Sequence, residues 1–138
     1  MQKIKFIEPI YTYHIDFVGH VNNIVYVQWM ENARVKLLQA MGLSIVEMEK
    51  IDEILPIIAE TVIEYKKPFF LYNTVEVETW VSKLKNVSAV FEIRFSNEKG
   101  ELCSTGRQKV LFIDKPTMKP SRKIAKYKKN FERFYIPG

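Results

Sequence analysis

One cysteine, Cys103, stands in a chain of 138 residues. A single thiol excludes an internal disulfide framework and agrees with a reducing compartment. Glycine and proline are sparse, five and six residues, which argues against a collagen-like or disordered chain. No apolar run approaches the roughly 18 residues a membrane helix needs. The opening stretch, MQKIKFIEPI, lacks the apolar core of a secretory signal. A cytoplasmic location is therefore expected. GxSxG, CxxC, HExxH and glycine-rich phosphate loops are absent as well. Cys103 has no motif around it and falls in a predicted strand, so it reads as structural.

What is present is a globular composition, 47% apolar and 27% charged, at the usual size for one core. The formal net charge of +5 is unevenly placed. Residues 115–138 carry eight Lys/Arg against a single acidic residue, Glu132, while the preceding part is close to neutral. A basic tail can meet nucleic acid, an anionic membrane or a phosphorylated ligand, or can simply solvate the chain end. Composition alone leaves these open.

Periodicity gives the architecture. Segment 3–16 reads as a strand, with Tyr11, Tyr13 and Ile15 on one face and Thr12, His14 and Asp16 on the other. FVGHVNN, 17–23, reads as a turn. Segment 24–41 predicts a helix in which Tyr26, Met30, Ala33, Leu37 and Ala40 recur at helical spacing. Val27, Trp29, Val35, Leu38 and Met41 widen its apolar surface, so it is expected to be buried on most sides. Asn22 or Asn23 is a suitable N-cap and Gly42 a suitable stop. After a linker at about 43–53, strands are expected over 56–67, 73–84, 87–96 and 101–113, with Asn97-Glu98-Lys99-Gly100 as a hairpin turn. One strand, a buried helix and four consecutive strands make an α+β protein, a curved antiparallel sheet wrapped around the helix. Beyond Asp114, Ser121 can cap a last short helix whose stripe of Ile124, Tyr127, Phe131 and Phe134 would dock on the body. The expected division is thus 1–114 for the domain and 115–138 for the tail.

Chemistry-bearing residues concentrate in His14-Ile15-Asp16-Phe17-Val18-Gly19-His20-Val21-Asn22-Asn23, which holds both histidines of the chain. The run joins a strand to a helix N-terminus. The first turn of a helix has N–H groups without internal partners and a partial positive charge. Such a place can hold an oxygen that becomes negative during acyl transfer. Three readings fit the spacing: turn and capping residues only; a metal site of His14, Asp16 and His20, three ligands as in a catalytic zinc site; or a hydrolytic site in which Asp16 acts on an ester-like carbonyl.

The stretch Tyr11 to Arg34, YTYHIDFVGHVNNIVYVQWMENAR, resembles the signature of hotdog-fold thioesterases of the 4-hydroxybenzoyl-CoA thioesterase type. Asp16, Gly19, His20, Asn22, Asn23, Tyr26, Glu31, Ala33 and Arg34 fall in the family pattern. Tyr65-Lys66-Lys67-Pro68 matches the family's Tyr-x-Arg/Lys-Pro strand end, and looser similarity runs to about residue 114. His14 departs from it, since many members carry an acidic residue there.

The resemblance implies a hotdog fold of about five strands around one long central helix. It implies an acyl-CoA or acyl-carrier-protein thioester as substrate, split to a free acid and a thiol without a cofactor or metal. Asp16 would attack the carbonyl or activate a water. The backbone N–H of Asn23, with Asn22 second, would stabilise the oxyanion, and His20 would orient the water or the carbonyl. A thiolate leaves readily, so no strong general acid is needed. Val18, Tyr26 and Trp29 would line the acyl slot. Lys66, Lys67 and Lys83, with the basic tail, would meet the phosphates. Glu31 and Arg34 read as a structural pair on one helix face. A homodimer or homotetramer is expected, because a lone sheet leaves an open edge. Two rivals stand beside this reading. One is an enoyl-thioester hydratase, whose Asp and His are spaced five apart where Asp16 and His20 are four apart. The other is a non-catalytic module binding an acyl carrier or nucleic acid through the tail.

Overall fold

The computed structural model describes residues 2–138. Five antiparallel strands form one sheet: β1 (Ile4–Glu8), β2 (Ile54–Tyr65), β3 (Val75–Leu84), β4 (Ser88–Ser96) and β5 (Leu102–Asp114). Their spatial order is β1-β3-β4-β5-β2, so β1 and β2 are the edges. Extra residues interrupt the pairing of β2 between Ile58 and Glu60 and of β3 between Val81 and Lys83. Bulges of this kind increase local twist, and they help the sheet curl around α1 (Asn23–Ala40).

That helix spans 18 residues and buries Val25, Tyr26, Trp29, Met30, Ala33, Leu37 and Leu38. From the sheet, Val77, Val81, Phe91, Ile93, Phe95, Val110 and Phe112 close on it, all at most 1% exposed. Each fully buried side chain of this size stabilises the fold by roughly 1.5–3 kcal/mol. At Gly106 of β5 the sheet makes room for Met30: an added Cβ would lie 2.7 Å from Met30 Cε. The helix starts at the cap Asn22, whose Oδ1 accepts the Ile24 N–H at 3.1 Å. It stops at Gly42, where φ of +82° suits a residue without Cβ.

Two expectations need correction. The first strand ends at Glu8 rather than continuing to residue 16, because Pro9 has no N–H for the ladder. Thr12–His14 instead form a turn of 3-10 helix, closed by the Tyr11 N–H donating to His14 Nδ1 at 3.0 Å. A 3-10 turn does not alternate its side chains as a strand does, so the alternation of faces predicted for 11–16 does not hold, although Tyr11 and Tyr13 do stack on each other. Second, the linker at 43–53 contains a helix, α2 (Ile45–Asp52). Its signal was legible: Ser44 and Glu47 have capping-box spacing, and Ser44 Oγ accepts the Glu47 N–H at 3.3 Å.

The tail returns over the core. Ser121 starts a 3-10 segment, Arg122–Tyr127, which leads into α3 (Lys128–Glu132). Ile124, Phe131 and Phe134 are buried against the sheet, with the Phe131 ring 5.7 Å from that of Phe112. Beyond α3 the chain joins the bulge of β3: the Val81 N–H donates to Phe134 O at 2.9 Å and the Ile136 N–H to Val81 O at 2.8 Å. Lys115, Lys123 and Lys126 pair with Glu49, Asp114 and Asp52 at 2.8–3.0 Å. Part of the tail's positive charge is thereby spent on holding α2 and the end of β5. No helix among the described residues is long and apolar enough to cross a membrane.

Candidate active site

Between the 3-10 turn and α1 the chain makes a compact loop. The Asp16 N–H donates to His20 O at 2.8 Å and the Gly19 N–H to Asp16 O at 3.0 Å. Gly19 sits at φ +85°, a left-handed conformation that costs little only without a Cβ. Within this loop the Asp16 carboxylate accepts through Oδ1 from the N–H groups of Val18 at 3.0 Å and His20 at 3.4 Å. No protein donor among the described residues reaches its Oδ2. One oxygen therefore fixes the carboxylate while the other stays available.

The Val21 N–H donates to Phe69 O at 3.0 Å, and the Asn22 N–H to His14 O at 2.8 Å. These two bonds tie the loop to the segment after β2 and aim the start of α1. Asn22 uses its side chain on Ile24, and its carbonyl accepts the Val25 N–H at 3.0 Å. The Asn23 N–H, first in the helix, has no acceptor among the described residues.

Asp16, Val18, His20, Asn23, Tyr26 and the Tyr65–Pro68 segment surround a cleft of about 350 Å³. The second motif enters it through β5, because the N–H groups of Lys66 and Lys67 both donate to Cys103 O, at 2.9 and 3.0 Å. Lys67 pairs with Glu101, whose carboxylate holds the ammonium above its ordinary pKa. Lys66 lies 3.8 Å from Glu64. His20 packs edge-on to Phe70, with ring centroids 5.2 Å apart. At the floor, Tyr26 is 2% exposed, and burial raises its phenol pKa above the ordinary value.

Not every candidate reaches the cleft. Trp29 lies beneath it, 2% exposed, against Tyr26, Phe69 and Phe95. Asn22 serves the helix cap. Lys83 borders a different depression, with Lys85, Arg107 and Lys109. That depression is on the outer face of the sheet, because Lys83 pairs with Val90 and Glu60 with Lys109. His14 is engaged with Tyr11 and rests on Trp29. Among the described residues no group of three or more His, Cys, Asp or Glu is placed to share a metal ion. The cysteine reading is consistent with a buried thiol whose pKa burial raises.

Glu31 and Arg34 do pair, with Nη1 to Oε1 at 2.8 Å, and Arg34 also donates to the buried Gln108 Oε1 at 2.7 Å. Gln108 in turn donates to Thr61 Oγ1 at 3.3 Å. Helix, β5 and β2 are thus joined by a polar chain that spacing within the helix could not reveal. Arg34 holds the Glu31 carboxyl below its ordinary pKa, chiefly by hydrogen bonding.

Residues 10–130 match the thioesterase-like superfamily. YneP of Bacillus subtilis (strain 168), named as a candidate acyl-CoA thioesterase, is 30% identical over 105 residues, 76% of this chain and 75% of that one. A DHNA-CoA thioesterase from Staphylococcus aureus superposes with a TM-score of 0.86 at 28% identity, covering 96% of this chain and 91% of that one. SAV2348 of the same species, solved in complex with CoA, shares the fold with a TM-score of 0.88 at 16% identity, over 96% and 84% of the two chains. The chain belongs to the thioesterase-like superfamily. It has the hotdog fold and is a thioester hydrolase.

Proposed function

We propose that the protein hydrolyses an acyl-CoA thioester in the cleft between the Asp16 loop and the start of α1. One observation carries the reading: Asp16, whose Oδ2 takes no protein donor among the described residues, and Asn23, whose N–H has no acceptor there, line the same cleft. The thioester carbonyl oxygen would rest on the Asn23 N–H, where the helix dipole favours the developing negative charge. Asp16 Oδ2 then attacks the carbonyl carbon or takes a proton from an attacking water. The thiol departs as thiolate; on the direct route a water then cleaves the acyl–Asp16 anhydride to regenerate the carboxylate, and on the water route the acid forms at once. His20, half-buried on Phe70, would orient the water or the carbonyl.

The names of the relatives and the CoA complex of SAV2348 support CoA rather than a carrier protein as the thiol carrier. Lys66 and Lys67 at the cleft wall, with Lys67 shared with Glu101, are suited to the phosphates. Lys83 would serve only if a second protomer brought it near. Two copies are expected to join through β2, whose outer edge offers an unpaired ladder. Its end, Tyr65–Pro68, is a wall of the cleft, so the pair would complete the site. The docked tail and its paired lysines favour a structural role over nucleic-acid binding. A cytoplasmic location fits a CoA substrate and a single buried thiol.

The test is thiol release from a panel of acyl-CoAs by wild type and by Asp16→Asn, with folding and oligomeric state checked in parallel. Loss of release by a folded variant supports the site. Wild-type turnover by Asp16→Asn would refute it.

A further inference from the structure

We infer that this hydrolase is built for compact acyl groups, short or with a single ring, and that Tyr26 backed by Trp29 sets the limit. The inference rests on the thioester placement proposed above. With the carbonyl held between Asp16 and Asn23, the acyl group runs inward along the first turn of α1, where the next residue facing the cleft is Tyr26.

Tyr26 is 2% exposed and stands at the centre of an aromatic cluster, open only on the side of the half-exposed Tyr65. Tyr65, Trp29, Phe95 and Phe69 surround it at ring-centroid distances of 5.1, 5.4, 5.7 and 6.1 Å. Phe69 and Phe95 are fully buried. Tyr26, Trp29, Phe69 and Phe95, each at most 2% exposed, fill the space between helix and sheet on that side of the cleft. In one protomer the cleft's volume is about 350 Å³, at the low end for small-molecule sites, and the buried Tyr26 closes its floor whatever a second protomer adds at the β2 end. An acyl chain gains from each methylene it buries, about fourfold per group. It stops gaining once it meets the tyrosine ring.

Wild type should therefore show kcat/KM rising from acetyl- to butyryl-CoA, with benzoyl-CoA accepted, and no further rise from octanoyl- to palmitoyl-CoA. Tyr26→Ala should extend the rise to longer chains, because a cavity of about 150 Å³ in an aromatic and aliphatic core is enough to admit a small apolar group. Tyr26→Leu is the milder companion if the alanine variant folds poorly, and Tyr26→Phe, which keeps the ring, should keep the wild-type octanoyl-to-butyryl ratio. A wild-type preference for palmitoyl- over butyryl-CoA overturns the inference without any variant. An unchanged length profile in folded Tyr26→Ala and Tyr26→Leu overturns it too. Asp16→Asn separates the two levels. If it stays active, the site reading fails. If it is inactive while long chains are preferred, only the length limit fails.

Discussion

The two ends of α1 are finished differently. At the C-terminal end the carbonyl of Met41 accepts Asn130 Nδ2 at 2.7 Å, and the tail beyond covers that end of the core with Phe131 and Phe134. At the N-terminal end, among the described residues, the Asn23 N–H has no acceptor and the Asp16 carboxylate on the same cleft has one oxygen without a donor. Large apolar groups are buried at the closed end. At the open end Phe17 is 99% and Tyr72 92% exposed. The same helix is thus covered at one end and, among the described residues, left with an unclaimed N–H at the other, where the proposed chemistry would take place.

This contrast can be broken by substitution. Asp16→Asn at the open end should lower thiol release by about 10²–10⁴-fold, the usual contribution of one acid–base group, with little change in unfolding temperature. Phe131→Ala at the closed end should do the reverse. It removes a ring packed between Phe91 and Phe112, at a cost of about 3–5 kcal/mol, read by denaturant unfolding, with the chemistry of the remaining folded fraction intact.

A matched pair sharpens the comparison. Asn22→Ala removes the N-cap and Asn130→Ala the bond to Met41. Each should cost about 1 kcal/mol. Only Asn22→Ala should also lower kcat, because it loosens the turn that presents the Asn23 N–H. Equal activities would mean that the start of the helix is not part of the machinery.

The smallest effect belongs to the middle of the helix. Arg34 depresses the pKa of Glu31 in the folded state. The stability this gives is present above the ordinary Glu value of 4.5 and is lost as pH falls through the lower folded value. Glu31→Gln should therefore be less stable than wild type near neutral pH, by less than about 1 kcal/mol given the half-exposed carboxylate. The two proteins should converge on acidification below 4.5. A gap that widens with acid would contradict the pairing.

Much of this was legible in the residues. Apolar recurrence located α1 to within one residue, and alternation located β2 to β5, because burial on a fixed face imposes those periods. The Asp16–Asn23 run stood out as carboxylate, imidazole and amides gathered before a helix, but its spacing left three readings open, and the hydrolytic one came from the family resemblance. What failed was local or non-local in character. Alternation carried the first strand past Pro9, where a missing donor outweighs a fitting pattern. The α2 helix is short and only partly buried: its Ser44–Glu47 cap was legible, but two turns of apolar spacing were too few to separate it from a linker. Trp29 lies one turn beyond the cleft lining, under Tyr26, and Lys83 sits on the outer face. Neither placement can be read without knowing how strand and helix pack. The link from Arg34 to Gln108 joins residues 74 apart and has no local trace.

The missing side chain at Gly106 has a further reach. Because the Met30 thioether occupies that gap, the pair acts as a detent that stops α1 from sliding along the sheet. Asn23 lies seven residues, about 10 Å, up the same rod, so in the proposed site the detent would also set the height of its N–H above the reacting carbon. A methyl group at position 106 must either displace the thioether or lift the rod. Only the second would be felt in turnover, where a misplacement of about 1 Å can cost on the order of 10²-fold.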